Sequence, residues 1–303
     1  MEMAEEALKV LNSSLFHIKW HLKSPSKRRL ETDILALCSG MRPVVMIDYG
    51  GKMPELQDHL CALLKSCQQA SAVFENLRVM VIDDMIYLIH IKGLADYATS
   101  SMNLEVEMLF VDLEQDPPKM VTQGEKCSLT IELVKLQKLF SLLFLQDGLN
   151  CDPLPGQLTD MEAKSEISTN KPTTSQSSLL IDLSGCMEET QVTVPTLNGW
   201  LLGYPVVYLF GKQCIKDAIF NLSTKSLHIF RILVSRNVPT IKESQQEELM
   251  SFSVPYDLSL LESKEPWAKA FLAQLQLKWE NCKLIWSSLQ LEVSACYPQA
   301  IVL

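Results

Sequence analysis

The sequence lacks the short motifs that usually identify an enzyme or a nucleotide-binding protein. It contains no P-loop (G-x-x-x-x-G-K-[ST]) and no G-x-G-x-x-G, the glycine-rich turns whose backbone N–H groups hold phosphates. It also contains no G-x-S-x-G nucleophile motif, and its five histidines leave few candidates for a general base. These absences argue against the familiar hydrolase and nucleotide-dependent classes and leave the activity unassigned.

The number and spacing of the cysteines do not indicate a disulfide framework either. The nine cysteines are an odd number, are widely scattered and form no C-x-x-C pair. Most lie within apolar runs, where a free thiol behaves as a small hydrophobic group. This usage is typical of a reducing compartment. We therefore expect a soluble intracellular protein located in the cytoplasm.

A basic cluster makes the nucleus the alternative compartment. Lys23, Lys27, Arg28 and Arg29 surround a Ser-Pro-Ser sequence at positions 24–26. Such a cluster can act as a nuclear-import patch or contact a phosphate, although it more often forms a solvated loop and helix start.

Charge and hydropathy restrict the partners. Lysine and arginine total 27 against 36 aspartates and glutamates, which gives a formal charge of −9. This balance argues against nucleic acid, because affinity for nucleic acid depends on neutralising phosphates with basic side chains. The uncharged stretch 192–211 has the length of a membrane span, but Pro195 and Pro205 prevent an uninterrupted helix. We expect buried strands joined by turns there, and no membrane partner.

Apolar periodicity predicts an α/β fold with a mixed sheet flanked by helices. Four aliphatic runs end on an aspartate and are typical of buried strands: 44–47 before Asp48, 79–82 before Asp83, 109–111 before Asp112 and 179–181 before Asp182. Residues 77–92 fit either a hairpin turning at Asp83-Asp84 or one long strand with a bulge. Helices are predicted over 4–22, over 27–38, from about Pro54, over 128–145 and from an N-cap at Ser263. Further strands are expected at 204–210, 226–234, 252–256, 289–293 and 300–303.

A polar segment interrupts this pattern. Residues 150–178 are rich in serine, threonine, proline and glutamine and have almost no apolar periodicity, which is typical of a disordered insert or linker. Two lobes joined by a linker would fit, as would one domain carrying an insert. We favour a single α/β domain over 1–303, because neither half has a complete set of elements.

One local segment has the composition of an anion site. Asp48, Tyr49, Gly50, Gly51 and Lys52 link a strand, a glycine turn and a helix start. Backbone N–H groups at Gly50 and Gly51 are candidates for binding an anion at the helix N-terminus, with Lys52 assisting. A tight turn capped by Asp48 is the simpler interpretation.

The strand-end aspartates raise a second hypothesis. Carboxyl ends of parallel strands meet at one edge of a sheet, where α/β proteins bind ligands. Asp48 and Asp182 are the candidate catalytic pair, because Asp83 fits a turn and Asp112 a partly exposed strand. Solvated strand ends explain each aspartate singly.

No metal-ligand set can be assigned. His17 and His21 have i, i+4 spacing on the first predicted helix, yet the lysines beside them favour a solvated face. The cofactor is unknown.

The string GWLLGYPVVY at 199–208, together with MIDYG at 46–50, resembles UPF0739, a vertebrate family of uncharacterised proteins. Its human member is known as an open reading frame of chromosome 1. The resemblance covers nearly the whole chain. It implies no activity, cofactor or partner, so no catalytic residue can be transferred from it.

Two functions remain open. The first is a non-catalytic module that binds a protein partner, because catalytic signatures are missing and the polar insert is suited to docking or modification. The second is a divalent-metal-dependent enzyme that acts on a phosphorylated substrate through Asp48 and the Gly50-Gly51 turn.

Overall fold

The computed structural model describes residues 2–102, 108–122, 127–145, 179–237 and 246–300. The α-helices are α1 Glu2–His17, α2 Ser24–Cys38, α3 Glu55–Ala70, α4 Ile91–Met102, α5 Ser128–Leu145, α6 Val194–Leu201, α7 Ile215–Ser223 and α8 Pro266–Glu280. The strands are β1 Val44–Met46, β2 Leu77–Ile82, β3 Met85–His90, β4 Leu109–Asp112, β5 Lys119–Thr122, β6 Leu180–Asp182, β7 Val206–Leu209, β8 Leu227–Arg236, β9 Gln246–Pro255 and β10 Trp286–Cys296. The insert predicted at 150–178 and most of the strand predicted at 300–303 lie outside the described residues.

The first sheet has the order β1-β3-β2-β6. β2 and β3 form the hairpin, so the long-strand alternative is wrong, and Asp83 adopts a positive φ of 51° in its turn. β1 and β6 run parallel to β2, while β3 runs antiparallel to all three. Because side chains alternate between the faces of a strand, Val79 and Met80 are buried on opposite faces of this sheet. A sheet covered on both faces explains the continuous apolar runs.

Two smaller sheets complete the fold, and the predicted α/β class with a mixed sheet flanked by helices is confirmed. The second sheet, β5-β4-β7, pairs β4 with β7 in parallel and β4 with β5 antiparallel. The third, β10-β8-β9, is antiparallel and has the longest strands. One core packs α1, α2 and α3 against the first sheet and includes the inner face of the third sheet and α8. A second core lies on the opposite face of the first sheet, under α4, α5 and α6.

Buried charges attach α2 to the third sheet. Glu247 of β9 is buried, and its carboxylate accepts hydrogen bonds from Nε of Arg28 at 2.7 Å and Nε of Arg236 at 2.9 Å. Thr32 of α2 donates to the same carboxylate. Arg29 donates to the backbone carbonyl of Glu248 at 2.6 Å. The basic cluster is therefore not simply a solvated loop, because two of its four members hold α2 against β9.

The uncharged stretch 192–211 does not consist of strands alone. Thr193 caps α6 by accepting a hydrogen bond from the backbone N–H of Thr196, and Pro195 lies in the first helical turn, where its missing N–H costs nothing. Gly203, with a φ of 75°, turns the chain into β7. The strand interpretation is thus wrong for the first half of the stretch. No helix in the described ranges is long and apolar enough to cross a membrane.

Two predicted helix boundaries also differ. The first helix ends at His17 rather than near 22, and Pro25 opens α2 instead of ending α1. Ser263 lies in a short 3-10 turn, and α8 begins at Pro266. In both helices the proline occupies the first turn, the position that it tolerates.

Candidate functional site: a cavity between α4 and α8

The structure does not bring Asp48 and Asp182 together. β1 and β6 form opposite edges of the first sheet, and Met46, Tyr87, Met80 and Ile181 lie in one row across it. Three steps between neighbouring strands of about 4.8 Å separate the two edges by roughly 14 Å. Both aspartates are exposed at the same end of the sheet. One metal ion cannot contact both carboxylates across that distance.

Three of the four strand-end aspartates, Asp83, Asp112 and Asp182, take part in local turns. Asp182 accepts hydrogen bonds from the backbone N–H and the hydroxyl of Ser184 at 2.9 and 2.7 Å. The same hydroxyl accepts the backbone N–H of Asp83 at 2.9 Å. Asp112 belongs to the second sheet and accepts the N–H of Glu114. The four residues therefore do not share one site.

The glycine turn after β1 packs against the N-terminal segment. Gly50 has a φ of 86°, and its carbonyl accepts a hydrogen bond from Nε1 of Trp20 at 3.1 Å. A Cβ built on Gly50 would lie 2.8 Å from Leu22. Gly51 and Lys52 are exposed, and Glu55 in the first turn of α3 already places a carboxylate at the helix N-terminus. The anion site at Gly50, Gly51 and Lys52 stays a prediction.

The two N-terminal histidines do not share a helix. α1 ends at His17, whose Nδ1 lies 2.7 Å from the backbone carbonyl of Ser13, and His21 follows outside the helix. Among the described residues, no group of three or more histidine, cysteine, aspartate or glutamate side chains could hold a metal ion.

A cavity elsewhere in the described part of the chain has a different lining. It has a volume of about 690 Å³, lies between α4 and α8, and is bordered by the loop after α2 and the loop after α6. Its volume lies within the range of small-molecule sites. Its lining is mostly apolar and aromatic, with Met41, Met108, Trp200, Met250, Trp267 and Phe271 among the contributors.

Arg42 supplies a buried cation to this cavity. It lies in the loop between α2 and β1, and only 4% of its surface is exposed. Nη1 donates to the backbone carbonyl of Leu249 at 3.0 Å, while Nε has no hydrogen-bond partner. No carboxylate forms an ion pair with Arg42 in the described residues, and burial lowers the pKa of its guanidinium.

The negative charges nearest to Arg42 are already engaged. Asp33 is buried, and one oxygen of its carboxylate accepts the hydroxyl of Tyr49 at 2.6 Å and Nε of Arg29 at 3.3 Å. Burial raises the pKa of Asp33, and Arg29 and Arg42 partly oppose this shift. Glu248 lies 3.9 Å from Arg29 and 3.8 Å from Arg231.

Lys278 adds a second cation from α8. The residue is exposed at the cavity rim, yet desolvation and the charge of Arg42 lower the pKa of its ammonium group. His90 lines the cavity too, and its Nδ1 accepts the backbone N–H of Gly93 at 3.0 Å. Because burial lowers the pKa of His90, its ring stays neutral near neutral pH.

The aromatic wall has its polar groups paired internally. The hydroxyl of Tyr97 donates to the backbone carbonyl of Trp200 at 2.6 Å, and Nε1 of Trp200 donates to the hydroxyl of Ser101 at 3.1 Å. Ser101 in turn donates to the carbonyl of Ala98 at 2.9 Å. These three residues therefore offer a ligand apolar surface, while the cations of the described lining are Arg42, Lys92 and Lys278.

Sequence reasoning missed Arg42 and Lys278, although each left a signal. Arg42 interrupts an otherwise apolar stretch, 41–47, that leads into β1. Lys278 follows Phe271 by seven residues and Leu275 by three, so it continues the inward face of α8. A charged residue at an apolar position was the available sign, but neither the cavity nor the missing counter-ion could be derived from it.

The chain is an α/β protein with a mostly apolar cavity between α4 and α8. A family model described as Domain of unknown function (DUF4504) matches residues 12–303. The chain belongs to this family. Neither the curated proteins nor the solved structures yielded a match.

Proposed function

We propose that this protein is a non-catalytic binding protein that holds a small anionic ligand in the cavity between α4 and α8. The observation that carries this proposal is the buried guanidinium of Arg42, whose Nε lacks a partner. A buried charge without a counter-ion costs several kcal/mol, so such groups are normally paired. An anion bound in the cavity would supply the missing partner.

The lining favours binding over catalysis. His90 uses Nδ1 for Gly93, and Ser100 and Ser101 donate their hydroxyl hydrogens to backbone carbonyls at 2.8 and 2.9 Å. Asp96, an exposed carboxylate of the lining, lies on α4. No cysteine occurs among the lining residues of the described chain. An activated nucleophile with an oriented base is therefore not assembled there.

The alternative of a divalent-metal-dependent enzyme has less support. It would have to use Asp48 or Asp182 singly, because the two lie at opposite edges of the first sheet. Asp182 is already engaged with Ser184.

A matched pair of dyes tests whether the cavity recognises charge. Anilinonaphthalene sulfonate is an anion with an apolar body, and N-phenyl-naphthylamine has a similar body without charge. We expect the folded protein to bind the sulfonate with a Kd at least about tenfold below that of the neutral dye, as measured by fluorescence titration. Arg42→Met should remove this preference.

The control is Lys269→Met, which removes a cation from an exposed position of α8 outside the cavity. It should bind both dyes as the unchanged protein does. Equal affinities for the two dyes in the unchanged protein, or a preference that survives Arg42→Met in a folded variant, would contradict the proposal.

A protein partner is the second candidate, and the outer edge of β10 favours it. The strand has eleven residues and a single charged side chain, Glu292. Among the described strands, only β8 pairs with it, so its other edge is open. β9 is engaged at more positions, because Arg29, Arg42 and Tyr208 hydrogen-bond to its carbonyls. On β10, Nε1 of Trp279 donates to the carbonyl of Trp286, the first residue of the strand, at 2.8 Å. An open edge with little charge can accept a further strand, here from a second copy of the chain.

Sedimentation velocity tests whether two copies of the chain pair through the outer edge of β10. We expect a dimer at micromolar concentration, and Ser294→Lys should yield a monomer because a lysine on an edge strand disfavours pairing between copies. A monomer at every concentration of the unchanged protein would rule out pairing between copies.

The cytoplasm is the proposed compartment, with the nucleus as the alternative. Every cysteine among the described residues is free, which fits a reducing environment. The family identity suggested by the resemblance, UPF0739, is likewise a proposal, supported by a family match that spans nearly the whole chain.

A further inference from the structure

We infer that the ligand of the cavity is a monocarboxylate with an unbranched aliphatic body, bound with its carboxylate at Arg42 and its chain along the wall formed by α4 and α8. This inference rests on the proposed function and narrows it to one chemical class. It draws on three features: the free edge of the guanidinium, the number of charges nearby and the saturated polar groups of the wall.

The head group follows from the geometry of Arg42. Nη1 is engaged by the carbonyl of Leu249, and Nε is without a partner. The edge that the protein leaves without a partner is therefore the one that carries Nε, which is buried, and Nη2. On that edge two N–H groups point in parallel, which matches the two oxygens of a carboxylate in a bidentate pair.

The number of charges favours a monoanion. Arg29 is paired with Asp33 and lies close to Glu248, so Arg42 is the one buried cation of the described lining. Lys92, Lys278 and the carboxylate of Asp96 are exposed at the rim, where water screens their charges. Desolvation opposes the charge on Arg42 and Lys278, and burial lowers the pKa of His90. A phosphate dianion would carry twice the charge into a site with one buried cation, and its desolvation would be poorly repaid.

The aliphatic part of the ligand is inferred from the residues that line the cavity. Tyr97, Trp200 and Ser101 are hydrogen-bonded to one another or to backbone carbonyls. A sugar or nucleoside placed against these three residues would bury hydroxyl groups without partners, which is unfavourable. Met41, Met108 and Met250 are flexible side chains that adapt to the shape of an alkyl chain.

Calorimetric titration of a chain-length series tests the inference. Hexanoate, octanoate and decanoate, each below its micelle concentration, should bind the full-length protein with a Kd that falls about fourfold per added methylene. Decanol, which lacks the charge, should bind at least about tenfold more weakly than decanoate. Decyl phosphate should also bind at least about tenfold more weakly than decanoate.

Substitutions test whether decanoate binds in the cavity. Arg42→Met should weaken decanoate binding by about tenfold or more, and Lys278→Met by a smaller factor, because Lys278 is at the rim. Lys269→Met, on the same helix but outside the cavity, should leave the Kd unchanged. If Arg42→Met does not fold, as judged by circular dichroism, the comparison of Lys278→Met with Lys269→Met provides the test.

The outcomes separate this inference from the proposed function. If the sulfonate dye binds in an Arg42-dependent way but the Kd does not change with chain length, the ligand does not have an aliphatic body, and the proposed binding of an anion stands. Tighter binding of decyl phosphate than of decanoate overturns the carboxylate head alone. Decanoate affinity that is the same in the unchanged protein and in folded Arg42→Met overturns both.

Discussion

Arg42 is the residue in which stability and ligand binding oppose each other. Its guanidinium gains one hydrogen bond, to the carbonyl of Leu249, and loses its hydration on burial. A single hydrogen bond contributes about 1 kcal/mol, whereas burying an unpaired ion costs several kcal/mol. In the ligand-free protein the side chain therefore lowers the free energy of unfolding.

Arg42→Met should consequently stabilise the ligand-free protein. Methionine fills similar space and is compatible with the apolar lining, so we expect the free energy of unfolding to rise by about 1 kcal/mol after loss of the bond to Leu249. Urea denaturation at neutral pH measures this quantity. A decrease of more than about 2 kcal/mol would mean that the guanidinium is compensated within the protein and needs no ligand.

Lys278 should make ligand binding depend on pH in the alkaline range. Desolvation and Arg42 lower its pKa below the ordinary value of 10.5. Between the lowered and the ordinary value the unfolded chain binds more protons, so the stability of the ligand-free protein rises with pH. A bound anion favours the charged ammonium, so affinity falls over the same interval.

The pH dependence can be measured from the Kd of decanoate between neutral pH and about pH 10. We expect the Kd to increase over the alkaline part of that range in the unchanged protein and to stay nearly constant in Lys278→Met. A dependence that persists in the variant would assign the titration to another group of the cavity, such as Lys92 at its exposed rim.

Individual residues were predictable where the local chain determines their role. The Asp83-Asp84 turn and the glycine at Gly50 depend on neighbours in sequence. Arg42 was not predictable, because the surroundings that leave it without a counter-ion come from α8, β9 and the loop after α6.

At the scale of elements, buried ion pairs contribute to the attachment of α2 to the third sheet. Arg236 of β8 donates to Glu247, to Glu31 at 2.8 Å and to the hydroxyl of Thr32 at 2.9 Å. The side chain of Arg236 is 14% exposed and that of Glu247 is 6% exposed. Arg236 lies 205 positions after Glu31 and 204 after Thr32, so these contacts fix how two distant elements dock.

Removing Arg236 should therefore be costly. Arg236→Met leaves the buried carboxylate of Glu247 with Arg28 and Thr32 only, and we expect the free energy of unfolding to fall by about 3 kcal/mol. Arg231→Met, on the same strand, is the control, because Arg231 is 44% exposed and lies 3.8 Å from Glu248. That variant should change stability by no more than about 0.5 kcal/mol. Similar losses for both would show that the buried network contributes nothing specific.

Helices with a long apolar period were the most predictable elements, as α5 at Ser128–Leu145 demonstrates. The stretch 192–211 was less predictable. A short buried helix and a strand both appear as uncharged apolar residues, and the eight residues of α6 give too few turns to reveal a period. The order of strands depends on pairings between distant segments, so the positions of β1 and β6 at opposite edges could not be derived.

At the scale of the whole molecule, ligand binding should stabilise the entire fold. A ligand that binds only the native state at one hundred times its Kd adds about 2.7 kcal/mol to the free energy of unfolding. For a chain of this size we expect decanoate to raise the Tm by several degrees. Differential scanning calorimetry measures the shift. At the same decanoate concentration Arg42→Met should show a smaller shift, about half as large for a tenfold weaker Kd. An unchanged Tm at saturating decanoate would contradict binding to the native state.

The walls of the cavity come from both sides of the segment 146–178. Arg42, His90 and Tyr97 precede it, while Trp200, Met250 and Phe271 follow it. Neither portion of the chain contains the site alone, so occupancy is a property of their correct association. A small ligand could therefore act as a pharmacological chaperone, rescuing destabilised variants in either portion by favouring the assembled state of both.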